Sequence, residues 1–429
     1  MHKWLNNQRW LPYAIVALAA LITIGMWYSS GRLLFYADST WSIGNPLEHA
    51  HNFSFGWKPQ YSGGIIDATG YAIVPLFVLI GIFQLVGLNA VASQALFFFG
   101  VLVVTGWSAI VLLEYLQTKY SLTRNTWALT VPALFYMSNL YIAINGWRMI
   151  IFLYIFYAAL PLLIWLQLKF LDTGRIAYVI ALSFVTAGFV SVALTNLSFL
   201  FIMIGILGGV SLLALVDMPL RRFALLMATG IVVWISTNLW YLLPQFFNVA
   251  DSTAKSTGGG NLDGSFSILN VISSNASFLN VLTLNGYYSL SDKIGGRWFP
   301  WADLFIASPF KILTFIFPLA LIVVLLNQNI LRKAWRLVIL AVAMVLVGSF
   351  LAKGSHEPFG GFFVFLFQTF PVPFLAFRAA YEKLGIIVAL GYLLTLFLAF
   401  SIPLRVSSAK ALWYRSVAAL IIMVLGFPV

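Results

Sequence analysis

The chain has no cysteine. Disulfides, thiolate nucleophiles and cysteine-based metal sites are therefore excluded. Charge is almost as scarce: Asp, Glu, Lys and Arg make up 8% of 429 residues, against about a quarter in soluble domains. A water-soluble fold is excluded on that ground. The acids number only 12 and the histidines four, so few groups can move protons. No internal repeat is found, and with it goes the inverted-repeat signature of many transporters. The N-terminal apolar run is longer than a signal-peptide core and has no small-residue cleavage site, so it reads as a retained helix.

What fills the chain instead is apolar sequence, 62% of it by residue. Runs of about 20 apolar residues recur along nearly the whole length, and each can cross a bilayer as a helix. The net charge of +12 would point to nucleic acid in a soluble protein. Here most basic residues flank the apolar runs, which is the topology signal of a membrane protein with some affinity for anionic lipid; no nucleic-acid partner is expected. The pattern predicts an all-α polytopic membrane protein forming a single domain over 1–429.

Trp10 to Ser29 is the first predicted span, preceded by Lys3 and Arg9. Basic flanks stay cytoplasmic, which puts the N-terminus inside and the loop 30–91 outside. The clusters Lys119 with Arg124, Lys169 with Arg175, Arg221 with Arg222, Arg332 with Lys333 and Arg336, and Arg405 with Lys410 and Arg415 should likewise be cytoplasmic. Between them fit spans at about 125–145, 149–169, 177–193, 197–217, 223–245, 309–327, 336–352, 384–403 and 411–428, leaving 246–308 and 353–383 as further outer loops. Parity then poses a problem. Two apolar runs, Tyr71–Leu88 and Ala92–Leu116, lie between an outer loop and an inner cluster, and only one can cross. The first is short and carries Pro75 and Gly81, so it is expected to lie along the outer face or re-enter it; the alternative is that it spans and the charge bias misleads at one loop. The preferred count is about 11 transmembrane helices with interfacial helices, and the end at Val429, directly after an apolar run, reads as a fragment lacking a C-terminal extracytoplasmic domain.

Chemistry concentrates between Arg32 and Tyr71, which hold Asp38, Glu48, His49, His51 and Asp67. Asp38, near Tyr36 and Trp41, can serve as a general base toward a sugar hydroxyl, and the aromatic rings suit the apolar faces of a sugar. The alternative is that Asp38-Ser39-Thr40 caps a helix. Glu48, His49 and His51 are residue types that ligate divalent ions, but their spacing is no ligand motif, and they read better as surface polar residues on an outer helix. Asp67, between Gly64 and Gly70, either positions an acceptor or caps the interfacial helix. In the last outer loop, Arg378 and Lys383 would put two cations at headgroup depth, a fork and a point charge for one phosphate; were the segment helical, Arg378 and Glu382 would form an i, i+4 pair and act as an ordinary interfacial anchor. Arg148 is a weaker phosphate candidate, and Asn139, Asn145, Asn196 and Asn238 read as interhelical glue.

Six stretches carry a resemblance. They are ADSTWSIGNP at 37–46, Gly70-Tyr71 with Pro75-Leu76-Phe77, NLWYLLPQFF at 238–247, LNGYY at 284–288, AKGSHEPFG at 352–360 and FRAAYEKLG at 377–385. Together with a carboxylate in the first outer loop, an interfacial helix after it and a late cationic motif, the chain resembles the GT-C glycosyltransferases. More narrowly, it is similar to the N-terminal membrane region of actinobacterial α-(1→3)-arabinofuranosyltransferases. It differs from them in a more polar segment around Glu48–His51 and in ending before the carbohydrate-binding region that follows there.

The resemblance implies an inverting transfer from a polyprenyl-phosphate sugar, decaprenyl-phosphoryl arabinofuranose in that branch, to a cell-envelope glycan acceptor at the outer face of the plasma membrane. Asp38 matches the base, and Arg378 and Lys383 match the donor-phosphate motif. Tyr36, Trp41, Glu48, His49, Asp67, Tyr71, His356 and Tyr381 are the accompanying candidates for substrate binding. Such a donor carries its own leaving group, so no metal site is assigned and a divalent ion is allowed without being required. The rival reading is a transporter or flippase of a lipid-linked or anionic solute, which should bury ionisable groups mid-span; the mid-span stretches here are almost free of them. A non-catalytic membrane scaffold is the third reading.

Overall fold

The computed structural model describes residues 9–34, 44–55, 57–58, 65–66, 70–147, 151–256, 260–290, 303, 305, 309–370, 374–403 and 408–426. Helices dominate. In chain order they are α1 (Leu11–Trp27), α2 (Pro46–Phe53), α3 (Val74–Leu85, entered through the 3₁₀ turn Gly70–Ile73), α4 (Ala90–Lys119), α5 (Thr126–Ser138), α6 (Leu140–Trp147), α7 (Ile151–Thr173), α8 (Ile176–Val185), α9 (Ser191–Leu194), α10 (Leu197–Leu215), α11 (Leu220–Ser256), α12 (Gly260–Ser273), α13 (Phe278–Leu282), α14 (Pro309–Leu313), α15 (Ile316–Leu326), α16 (Gln328–Ala352), α17 (Gly360–Thr369), α18 (Ala380–Phe400) and α19 (Ser408–Gly426). Two-residue strands β1 (Trp57–Lys58) and β2 (Ile65–Ile66) pair antiparallel.

Among the described residues, nine helices are long and apolar enough to cross a membrane, so the chain is a multi-pass membrane protein. The expected spans at Trp10–Ser29 and 411–428 are covered by shorter apolar helices, Leu11–Trp27 and Leu412–Ile422. The largest departure is α11. Its 37 residues are about 55 Å long at 1.5 Å per residue, beyond the roughly 40–45 Å of a bilayer with its headgroups. The outer loop expected from 246 therefore opens on helix, through Ser256, and continues into α12. Where α11 crosses the apolar layer, Leu225, Ile231, Val232, Leu239 and Leu243 are all exposed, as a lipid-facing helix requires.

Several helices start on asparagine. Asn125, Asn196 and Asn327 accept from the backbone N–H of Trp127, Ser198 and Ile330 at 3.1, 3.2 and 3.0 Å. First-turn N–H groups have no intrahelical partner, and a bilayer offers them no water, so the cap comes from the chain itself. Asn196 is thus a cap, and Asn238 bonds Trp234 O and Tyr241 OH on its own helix, where interhelical bonds were expected.

The chain divides into two compact units. One comprises Met1–Ala19, Thr105–Trp147 and Leu262–Val429; the other comprises Ala20–Val104 and Arg148–Asn261. In the first, Tyr13 bonds Glu114 at 3.1 Å and Val16 fits against Gly106, whose Cβ would lie 2.4 Å from it. In the second, Trp27 meets Phe98 edge-on and Leu34 N–H bonds Gln94. Each set of pairs runs α1 antiparallel to α4, so α4 starts on the side where α1 ends. Among the described residues one apolar helix lies between them, Gly70–Leu85, and it does not return the chain to its starting side if it crosses alone.

In the first unit α16 and α18 are also antiparallel and very close. A Cβ on Gly348 would lie 3.1 Å from Ile387, and one on Gly391 would lie 2.8 Å from Val345. Asn125 Nδ2 donates to Phe400 O at 3.1 Å. These contacts gather Arg9, Lys119, Arg124, Arg332, Lys333, Arg336 and Lys410 at one end of this unit, and the 353–383 segment at the other.

Candidate functional site

At that other end, close packing of α16 on α18 sets two turns side by side. The first follows α16. Lys353 is 2% exposed; its ammonium donates to the carbonyls of His356, at 2.6 Å, and Pro358, and lies 5.3 Å from the centre of the Phe350 ring. Burial lowers its pKa, and Glu357 partly offsets this. Glycine is required twice. Gly354 has φ +59°, and its Cβ would sit 2.4 Å from Ser273 Oγ and 3.1 Å from Ala380; a Cβ on Gly360 would lie 2.1 Å from the Ser355 carbonyl. Ser273 Oγ accepts from Ser355 N–H at 3.2 Å, which ties α12 to the turn. His356 is half-buried with Nδ1 2.6 Å from Glu357 O, so the residue is held in the turn by both its backbone and its ring.

The second turn precedes α18. Ala379 is the N-cap, so Arg378 lies before the helix, and the i, i+4 arrangement with Glu382 does not form. Arg378 is exposed, and among the described residues its side chain has no hydrogen-bond partner. Lys383 Nζ donates to Ala376 O and closes the turn, within electrostatic reach of both Arg378 and Glu382. An ammonium has three donors, so two remain. Tyr381, a substrate-binding candidate, is 1% exposed. Its hydroxyl donates to Leu284 O at 2.7 Å, its ring lies against Gly286, and it meets Tyr141 edge-on at 5.7 Å. Its contribution is packing. Tyr141 OH in turn donates to Glu382 O, fixing the first turn of α18 from α6.

The segment after α12 completes the cluster. Asn275 donates to the carbonyls of Asn285 and Tyr287 at 2.9 and 2.8 Å. Leu284 adopts φ +61°, a strained backbone for leucine, and Tyr381 bonds its carbonyl. Tyr392 adds a bond to Leu282 O at 2.7 Å. The two late segments are therefore one built structure presenting Arg378.

In the second unit the first loop is simpler. Asn45 caps α2 through Glu48 N–H, and Glu48 accepts from Asn45 Nδ2, a reciprocal capping arrangement. His49 and Phe53 both stack on Phe77 of α3, at 5.5 and 5.7 Å between ring centres, and His51 meets Phe55 edge-on. Ser191 Oγ donates to Ala72 O at 2.9 Å, anchoring the start of α3 next to half-buried Tyr71. Among the described residues no group of three or more His, Asp or Glu could hold a metal. Tyr36, Asp38, Trp41, Asp67 and Arg148 lie outside the described residues.

Comparison with protein-family models, with curated proteins and with solved structures gave no match.

An exposed guanidinium on a fixed turn can bind an anion as a planar fork, with Lys383 adding charge beside it. Lys353, Ser273, Asn275 and Tyr141, which build this geometry, escaped the sequence reading. Their trace there is the AKGSHEPFG stretch, which holds Lys353 and the glycine pair Gly354 and Gly360 around Glu357-Pro358.

Proposed function

We propose that the chain is an integral-membrane glycosyltransferase that moves a sugar, with inversion, from a polyprenyl-phosphate donor to a glycan acceptor. One observation carries the reading: Arg378 is exposed on a turn made rigid by Lys383, Tyr381 and Tyr141, at the end of α18 where the helix leaves its apolar run. The six sequence stretches that resemble GT-C enzymes support it, with arabinofuranose as the sugar that the narrower resemblance implies.

In the mechanism that the resemblance implies, Asp38 takes the proton of an acceptor hydroxyl. The oxygen attacks the anomeric carbon as its bond to the phosphate oxygen breaks, and the electron pair leaves with the lipid phosphate. That phosphate goes from one negative charge to two. A guanidinium fork that holds it binds the doubly charged product-like phosphate more strongly than the ground-state diester, which is the condition for catalysis. The donor's prenyl tail stays in the bilayer. The site lies outside and the N-terminus inside, since the basic clusters gather at the opposite end of the first unit. The Gly70–Leu85 helix lies along the outer face of the plasma membrane.

The test is transfer of labelled sugar from a lipid donor in proteoliposomes. Arg378→Gln should lower kcat/KM by about 10- to 100-fold, the size of a lost charge-assisted bond, and leave the thermal midpoint unchanged. Asp38→Asn should remove transfer. Unchanged transfer in Asp38→Asn overturns the base assignment, and solute uptake without any transfer overturns the enzyme reading in favour of a transporter.

A further inference from the structure

At the far end of α18 from Arg378, a groove of about 270 Å³ opens between α15, α18 and α19. Its walls are apolar: Leu319 and Val323 from α15, Leu396 and Ala399 from α18, Ala418 and Ile422 from α19. At its end stand Tyr414 and Arg415. Arg415 Nη2 donates to Ile402 O at 3.3 Å, which engages one of the five N–H donors of a guanidinium. Lys410 is exposed one turn before Tyr414. From Arg415 to Ile422 the groove follows α19 for about 10 Å at 1.5 Å per residue.

We infer that this groove is a binding site for an anionic phospholipid, with an acyl chain along the apolar walls and its phosphate on Arg415, next to Lys410. Two features select this occupant. Apolar walls favour a hydrocarbon over water, and the groove faces the layer where α15 exposes Leu319 and Val323. The charged mouth sits at the end of the unit that also carries Lys119, Arg124, Arg332, Lys333 and Arg336, so the local field is positive and a zwitterionic headgroup gains less from it than an anionic one. A free phosphate would use Arg415 and leave the walls unused; a lipid uses both. The inference does not depend on the proposed transferase activity.

The experiment is thermal unfolding of the full chain in detergent micelles, titrated with phosphatidylglycerol, phosphatidylcholine or inorganic phosphate. Phosphatidylglycerol should raise the midpoint saturably. Arg415→Gln, which keeps a donor for Ile402 O, should shift its half-maximal concentration at least about tenfold upward. Ala320→Phe, which narrows the groove, should abolish the effect while leaving the lipid-free midpoint within a degree or two. Retention of phosphatidylglycerol by the wild type, and its loss in Arg415→Gln, should be visible by native mass spectrometry even if Ala320→Phe folds poorly. Equal protection by phosphatidylcholine, equal protection by inorganic phosphate, or an unshifted titration in Arg415→Gln would each overturn the site.

Discussion

The late turns around Arg378 and the first loop around Glu48 are both polar patches between apolar helices, yet they are built in opposite ways. In the late turns the polar groups serve distant partners: Tyr381 reaches Leu284, Tyr141 reaches Glu382, and Ser273 reaches Ser355. Around Glu48 they serve their own helix, as Asn45 and Glu48 do for α2, while the packing is left to His49, Phe53 and Phe77, and the long-range bonds of that loop, Leu34 to Gln94 and Ser191 to Ala72, lie at its ends. Long-range polar bonds fix a side chain in space; local caps fix only where a helix begins. The late turns are therefore the part of the described molecule suited to holding a charge at a fixed point.

Two glycines with similar nominal clashes separate the two regions most clearly. A Cβ on Gly286 would meet the Tyr381 ring at 2.7 Å, and one on Gly81 would meet Leu47 Cδ2 at 2.3 Å. The Tyr381 ring is 1% exposed and held by its hydroxyl, whereas Leu47 is 38% exposed and can swing away. Gly286→Ala should cost about 1–3 kcal/mol by overpacking. Gly81→Ala, inside α3, should be neutral or gain up to about 1 kcal/mol of helix propensity. Thermal unfolding in detergent decides it, and equal losses would mean that the first loop is as rigid as the late turns.

Next in size are the two polar anchors. Lys353→Met leaves the carbonyls of His356 and Pro358 without their buried donor and should cost about 1–3 kcal/mol. It should also lower transfer, because the turn it closes lies against Ala380 at the start of α18. Glu48→Ala loses half of an exposed capping pair and should cost about 0.5–1 kcal/mol, with no change in transfer. Glu48 variants with strongly reduced turnover at normal stability would show a substrate contact beside the cap.

How far the sequence carried these conclusions follows from the same division. Apolar runs locate helices because composition alone decides what can sit in lipid, so Ala90–Lys119 and Ile151–Thr173 fall where 92–116 and 149–169 were expected. The length of α11 was not legible, because its last turns, through Ala250, Asp251 and Lys255, lose the apolar signal while remaining helical. In the site, Arg378 and Lys383 stood out as charges in a chain nearly without them. The role of Tyr381 did not, since a buried anchor and a sugar-stacking tyrosine are the same letter. Lys353 lay inside a quoted motif and still went unread, because its partners are backbone carbonyls, which no sequence distinguishes.

The smallest expected effect is the most specific to the late turns. Burial holds the pKa of Lys353 below the 10.5 of a lysine in the unfolded chain, against a partial offset from Glu357. The folded state thus binds this proton less tightly than the unfolded state. From the depressed value up to 10.5 the unfolded chain carries more protons, so the stability contribution rises with pH through that window and is lowest below it. The neutral amine still has two donors for the His356 and Pro358 carbonyls, so deprotonation removes the desolvation cost without breaking the turn. The difference in thermal midpoint between wild type and Lys353→Met should therefore widen as pH is raised from about 8 to about 10. Other lysines and tyrosines titrate in both proteins and cancel in the difference. A difference that stays flat would mean that Glu357 balances burial, and one that narrows would mean that Glu357 outweighs burial and that the charged form is favoured in the fold.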